Sequence, residues 1–107
     1  MNSDERYTLF EEWMGKRKNY RNRRFRAKVP GNYASRLKNK GFLVEWAKAQ
    51  LAGNVFEIDN PRIVLALRTI MDEMATNIPA GQKADYADLK VALKWYEKFL
   101  HYLKQNH

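Results

Sequence analysis

The side chains with the clearest capacity for chemistry are cationic, and they cluster in the N-terminal half of the chain. The chain has 107 residues and a net charge of +8. Residues 1–53 hold 13 basic and 5 acidic side chains, whereas residues 54–107 hold 7 of each. The 32 residues at positions 13–44 include no Asp or Glu. Their eleven cations, which together form the candidate binding site, are Lys16, Arg17, Lys18, Arg21, Arg23, Arg24, Arg26, Lys28, Arg36, Lys38 and Lys40.

This group of cations predicts a polyanionic partner. So many like charges repel one another unless an anion lies close to them. Arg is the commoner type in the group, and its planar guanidinium can form two hydrogen bonds to one phosphate. We therefore expect a nucleic acid, DNA before RNA, held through its backbone phosphates and largely without sequence preference. The alternative is a small accessory module, of a phage or mobile element, that docks an acidic protein on the same basic face.

Two aromatic residues, Tyr20 and Phe25, stand between the cations at positions 16–31. Rings interleaved with Arg suit nucleic acids because they can stack on bases while the guanidinium groups hold phosphates. The same rings could instead pack on the core and anchor the segment. The sequence leaves both interpretations open.

Groups suited to catalysis or metal binding are few. The chain has no Cys and two His, whereas a metal site needs three or four converging ligands. His101 falls near the end of an expected helix, where a cation offsets the helix dipole, and His107 is the last residue. The paired carboxylates at 11–12, 72–73 and 85/88 fall on helix starts or exposed faces. We expect no enzymatic activity, no metal and no cofactor.

Helices position the cationic residues. Asn2 or Ser3 can cap a first helix, whose apolar residues Tyr7, Phe10, Trp13 and Met14 recur at helical spacing. Residues 16–31 lack apolar periodicity, and Pro30 with Gly31 indicates a turn. We interpret 16–31 as a basic arm or loop. A second helical region should begin after it, capped by Asn32, and run to residue 52, either as one helix kinked at Gly41 or as two short ones.

The C-terminal half predicts two more helices. Residues 55–58 form a short apolar segment, which we expect to be a buried connector. The run Asp59-Asn60-Pro61 is typical of a helix start. The final helix should span residues 84–105 and has the strongest amphipathic pattern in the chain. The apolar residues that we expect these two helices to bury are Val64, Leu67, Ile70 or Met71, Met74, Leu89, Ala92, Leu93, Tyr96, Phe99, Leu100 and Leu103. We predict one all-α domain over residues 1–107, a compact bundle of four to five helices.

The order of four segments resembles a known family. They are FEEWM at 10–14, NYASRLK at 32–38, VFEI at 55–58 and ALKWYEKFL at 92–100. The order is similar to that in the SAM-like N-terminal core-binding domain of tyrosine recombinases and phage integrases, over about residues 7–103. The resemblance implies a helical fold that clamps duplex DNA mainly through backbone contacts. The family's short Ser/Thr-rich linker is replaced here by the basic arm, and no recombinase catalytic domain follows, so only the binding half is implied.

Membrane insertion and secretion are not expected. The longest uninterrupted apolar run is residues 63–67, far short of the ~20 residues of a membrane span. The polar start, MNSDER, lacks the apolar stretch of a secretory signal. We therefore expect a cytoplasmic protein, whose oligomeric state the sequence leaves undetermined.

Overall fold

Four α-helices and one short 3₁₀ turn make up the regular structure of the residues described. A computed structural model describes residues 1–17, 23–26, 28–39, 53–74, 81 and 83–105. The helices are α1 (Ser3–Gly15), α2 (Val29–Asn39), α3 (Pro61–Met74) and α4 (Lys83–Gln105), with the 3₁₀ turn at Val55–Glu57. The described residues contain no β-strand. The prediction of an all-α fold is confirmed.

The contacts divide the chain into two compact units, Met1–Ile58 and Asp59–His107. The first contains α1, α2 and the 3₁₀ turn, and the second contains α3 and α4. The single domain expected over residues 1–107 stays a prediction. Within the described residues, no helix is both long enough and apolar enough to cross a membrane.

Helix α1 begins as its sequence predicts and supplies part of the core of the first unit. The side-chain oxygen of Asn2 accepts a hydrogen bond of 2.8 Å from the backbone N–H of Glu5, which caps the helix. Phe10 and Met14 are fully buried. Their helix packs on α2 and on the 3₁₀ turn, and the residues buried on those two elements are Pro30, Ala34, Leu37, Val55 and Phe56.

Helix α2 begins earlier than predicted. Its first residue is Val29, so the expected start after Gly31, with Asn32 as the cap, was wrong. Pro30 lies in the first turn, where a backbone N–H has no partner inside the helix and its absence costs nothing. The N–H of Asn32 instead donates to the carbonyl of Lys28 at 3.0 Å. The last three residues of the predicted arm therefore belong to α2, and the expected kink at Gly41 lies outside the described residues.

A buried arginine joins α1 to the 3₁₀ turn. Arg6 is only 9% exposed. Its guanidinium donates one hydrogen bond of 2.6 Å to the carbonyl of Phe56 and another of 2.9 Å to the carbonyl of Met1. The apolar segment 55–58 is a buried connector, as predicted, because Val55, Phe56 and Ile58 are each at most 1% exposed.

The second unit is a helical hairpin. Asn60 caps α3 by accepting from the N–H of Arg62 at 3.0 Å, and Pro61 is the first helical residue, as predicted. Of the two alternatives for the third core position, Met71 is buried and Ile70 is 39% exposed. The buried residues of α3 and α4 are Pro61, Val64, Leu67, Met71, Leu89, Ala92, Leu93, Tyr96, Phe99 and Leu100. Leu103 is only half-buried, and the Met74 side chain lies outside the described residues.

Candidate nucleic-acid interface

The predicted site residues that the structure describes all lie in the first unit. Lys18, Arg21 and Lys40 lie outside the described residues. Five of the others are exposed to solvent, namely Lys16, Arg23, Arg24, Arg26 and Lys28. Arg17, Arg36 and Lys38 are half-buried. The set therefore divides into cations that face water and cations that also pack against the protein.

Four of the exposed cations have no anionic partner among the described residues. No described carboxylate forms an ion pair with Lys16, Arg24, Arg26 or Lys28. Two salt bridges, Arg68–Glu97 and Lys90–Asp72, join the helices of the second unit. We refer to the exposed residues Arg23, Arg24, Arg26 and Lys28 as the basic segment. Within it, Arg24, Arg26 and Lys28 have no described carboxylate partner, so their charges remain available to an external anion.

The start of α2 adds positive potential beside the basic segment. The N-terminus of a helix carries a partial positive charge from its unpaired N–H groups, and acidic residues usually offset it. The first turn of α1 has Asp4 and Glu5 for this purpose. The first turn of α2 has no acidic residue, and Lys28 directly precedes it. An anion near Lys28 would therefore be attracted by both the side chains and the helix.

Two of the half-buried cations stand over aromatic rings. The guanidinium carbon of Arg17 lies 5.2 Å from the centre of the Trp13 ring, and the ammonium of Lys38 lies 5.0 Å from that of Tyr7. Both distances are within the range of a cation–π contact. The stems and charges of Arg17 and Lys38 thus contribute to packing. Arg36 and Lys38 also point to different sides of α2, since residues two apart on a helix do not share a face.

A carboxylate lies close to the side of α2 that bears Lys38. Burial raises the pKa of Tyr7 above its ordinary value of 10.0, and its hydrogen bond to Glu11 and the negative charge of Glu11 raise it further. The carboxylate of Glu11 accepts a hydrogen bond from the hydroxyl of Tyr7, and the ammonium of Lys38 lies over the ring of the same Tyr7. Glu11 therefore partly offsets the positive charge of Lys38 on that side of α2.

The ring of Phe25 contacts α2. Its centre lies 6.1 Å from that of Tyr33, with the two planes at 76°. This edge-to-face contact is a favoured aromatic geometry, and both rings are half-buried. Phe25 thus anchors the basic segment to α2, one of the two roles that the sequence left open. Tyr20 lies outside the described residues.

The other candidate groups lie mostly at the surface. His101, Glu12, Glu73 and Asp88 are exposed. Asp72 pairs with Lys90 at 2.7 Å. The Asp85 side chain and His107 lie outside the described residues. Across the described part of the chain, no three His, Cys, Asp or Glu side chains come together in a way that could hold a metal ion.

Arg6 was not predicted from the sequence, and it is the one charged residue among the buried side chains described. A pattern did exist, because Arg6 precedes Phe10 by four residues and Trp13 by seven, and so falls on the apolar face of α1. A charged residue at such a spacing is normally assumed to reach solvent. Here two backbone carbonyls accept hydrogen bonds from the guanidinium of Arg6 instead.

Compared with known proteins, the chain matches no family model, no characterised protein and no solved structure. The resemblance to recombinase core-binding domains therefore stays a prediction.

Proposed function

We propose that this protein is a non-catalytic nucleic-acid-binding module that holds the phosphate backbone, with DNA as its main ligand. The exposed cations of the basic segment would make the contacts together with Lys16. The observation that carries the proposal is the set of four exposed cations without a described anionic partner, next to a helix start that lacks acidic residues.

The physical argument rests on counterion release. A duplex binds a dense layer of cations, and a protein that neutralises phosphates frees them, which favours binding at low salt. This attraction does not depend on base sequence. Residues that read base edges would be needed for specificity, and the proposal assigns none. The resemblance to core-binding domains favours duplex DNA over single strands, in agreement with binding through the backbone.

Arg17, Arg36 and Lys38 have a secondary role in this proposal. Arg17 and Lys38 are held over rings of α1, so moving them onto a phosphate would cost those contacts. They contribute to the positive potential around the site. The main energetic contribution comes from Arg24, Arg26 and Lys28, whose side chains are exposed and make no contact with a described carboxylate.

The test compares two variants of equal charge. The first replaces Arg24, Arg26 and Lys28 with Gln. The matched control replaces Arg62, Lys94 and Lys104, three exposed cations of the second unit, also with Gln. Both variants lose three positive charges. Binding to labelled duplex DNA, single-stranded DNA and structured RNA of equal length is followed by fluorescence anisotropy at two salt concentrations.

The first variant should bind more weakly and with less salt dependence than the control. Loss of three phosphate contacts lowers the slope of log K against log salt by about 2.7, which corresponds to a loss of up to about 500-fold at ~0.1 M salt. Equal losses in the two variants would mean that net charge alone attracts the nucleic acid, and would contradict the assignment of the site. No binding by the wild-type protein at low salt would refute the proposal and leave an acidic protein as the partner to seek by pull-down.

A further inference from the structure

The hairpin of the second unit has two unlike sides. Arg68 on α3 pairs with Glu97 on α4 at 2.6 Å, and Asp72 on α3 pairs with Lys90 on α4 at 2.7 Å. As residue numbers rise on α3, those of their partners fall on α4, so the two helices are antiparallel. Both ion pairs join the helices along the same side. Midway between them, Ile70 on α3 stands level with residue 93 on α4.

The opposite side of the hairpin is apolar. The side chains on this side are Ile63 and Ile70 of α3 with Val91, Trp95 and Tyr102 of α4, and we call them the apolar face. At about 100° per residue, they lie about a quarter-turn around each helix from its buried side chains, in the direction away from the ion pairs. Trp95 is half-buried, and the other four are 38–43% exposed. Exposed apolar side chains that share one face mark a site of association.

The row on α4 has the spacing of a coiled-coil seam. Positions 88, 91, 95, 98 and 102 alternate in steps of three and four, which is the repeat that lets one helix pack along another. The buried row that faces α3 follows the same repeat one position later, at 89, 92, 96 and 99. Helix α4 therefore carries two seams, one of which packs inside the hairpin.

We propose that the apolar face binds a second copy of this chain, with the two α4 helices antiparallel across a two-fold axis at residue 93. The charges of the seam favour a second copy of the chain as the partner. Its first position is Asp88 and its fourth is Lys98, so an antiparallel copy places each Asp88 opposite Lys98 of the other copy. The same register places Val91 opposite Trp95 of the other copy. Every contact occurs twice, as in any isologous interface.

Two further observations fit this arrangement. The two-fold axis at residue 93 passes at the level of Ile70, so the Ile70 side chains of the two copies meet across it. The second unit also carries 7 basic and 6 acidic residues at positions 59–107, and two such units attract or repel each other little through net charge. The strong positive charge of the chain lies in the first unit, which the dimer contacts do not use.

Charge reversal at the seam tests the register. In D88K, both charges of the seam are positive, and in K98D both are negative. Each variant should dimerise at least about tenfold more weakly than the wild-type chain, because like charges then face each other twice. An equimolar mixture of the two variants should form a heterodimer, since each positive position then faces a negative one. The double variant D88K/K98D should recover the homodimer. Lys104→Asp, which changes charge on the other side of α4, is the control and should dimerise as the wild-type chain does.

The measurement is sedimentation velocity across a concentration series, with far-UV circular dichroism to establish that each variant folds. A wild-type chain that remains monomeric up to about 500 µM would overturn the proposal, because a seam that weak has no role in assembly. Single reversals that dimerise as tightly as the wild-type chain would also overturn it. So would a folded mixture and a folded double variant that both remain monomeric while the wild-type chain dimerises.

Discussion

The first unit should depend on Arg6 more than on any exposed charge of α1. Its guanidinium spans two backbone carbonyls, those of Phe56 and Met1, and is almost fully removed from water. Replacing Arg6 with Met retains most of the apolar stem and removes both hydrogen bonds. The carbonyl of Phe56 then lies buried without this donor.

The size of the effect follows from the two bonds. A hydrogen bond from a charged donor to a buried acceptor contributes about 1.5–3 kcal/mol, and the part-buried bond to Met1 contributes about 0.5–1.5 kcal/mol. Methionine also relieves the cost of keeping a cation away from water, which subtracts from the loss. This relief is smaller than it would be for a buried lysine, because a guanidinium is more weakly hydrated than an ammonium. We expect Arg6→Met to lower the free energy of unfolding by about 1–3 kcal/mol.

Urea denaturation followed by circular dichroism measures this difference. The midpoint should fall while the slope of free energy against urea stays unchanged, since the surface exposed on unfolding is nearly the same. Glu12→Gln, at an exposed position of the same helix, is the control and should change the free energy by less than about 0.5 kcal/mol. An Arg6→Met variant as stable as the wild-type chain would show that the two carbonyls do not need the guanidinium.

Two further predictions concern titration and ion pairing. The raised pKa of Tyr7 means that the folded chain holds the phenolic proton more tightly than the unfolded chain, so this contribution to stability is complete below pH 10.0 and is lost as the pH rises past the folded-state pKa. Glu11→Gln should bring the pKa of Tyr7 closer to its ordinary value, as measured by ultraviolet difference titration against Tyr7→Phe, and an unchanged pKa would contradict the assigned cause. Double-mutant cycles should give a larger coupling for Arg68–Glu97, whose side chains are 28% and 18% exposed, than for Lys90–Asp72, at 38% and 61%. We expect about 1 kcal/mol for the first pair and below about 0.5 kcal/mol for the second, and equal couplings would mean that burial does not separate them.

The elements of the second unit were predictable because local rules agree there. Asn60 followed by Pro61 satisfies both the cap and the first turn of α3. The apolar repeat of α4 runs without interruption from Leu89 to Leu100, so its buried face follows from periodicity alone. Each of these features is decided within one helix, with no knowledge of how helices pack.

Features of the first unit that depend on packing were not predictable in this way. Pro30 and Gly31 are typical of a turn. That they belong to the first turn of α2 is evident only from the hydrogen bond that the N–H of Asn32 donates to the carbonyl of Lys28. The ring beneath Lys38 belongs to a different helix. The group of cations at positions 16–40 was recognisable as a run of charge, whereas its division into exposed and packed cations required the structure.

The salt dependence of binding tests the central claim most directly. Four exposed cations without a described anionic partner, Lys16, Arg24, Arg26 and Lys28, can each meet one phosphate. Log K for duplex DNA should therefore fall with log salt at a slope of about −3.6. The measurement is an anisotropy titration of the wild-type protein from about 50 to 200 mM salt. A slope near that value supports binding through backbone phosphates, and a slope near zero, or no binding at low salt, would contradict it.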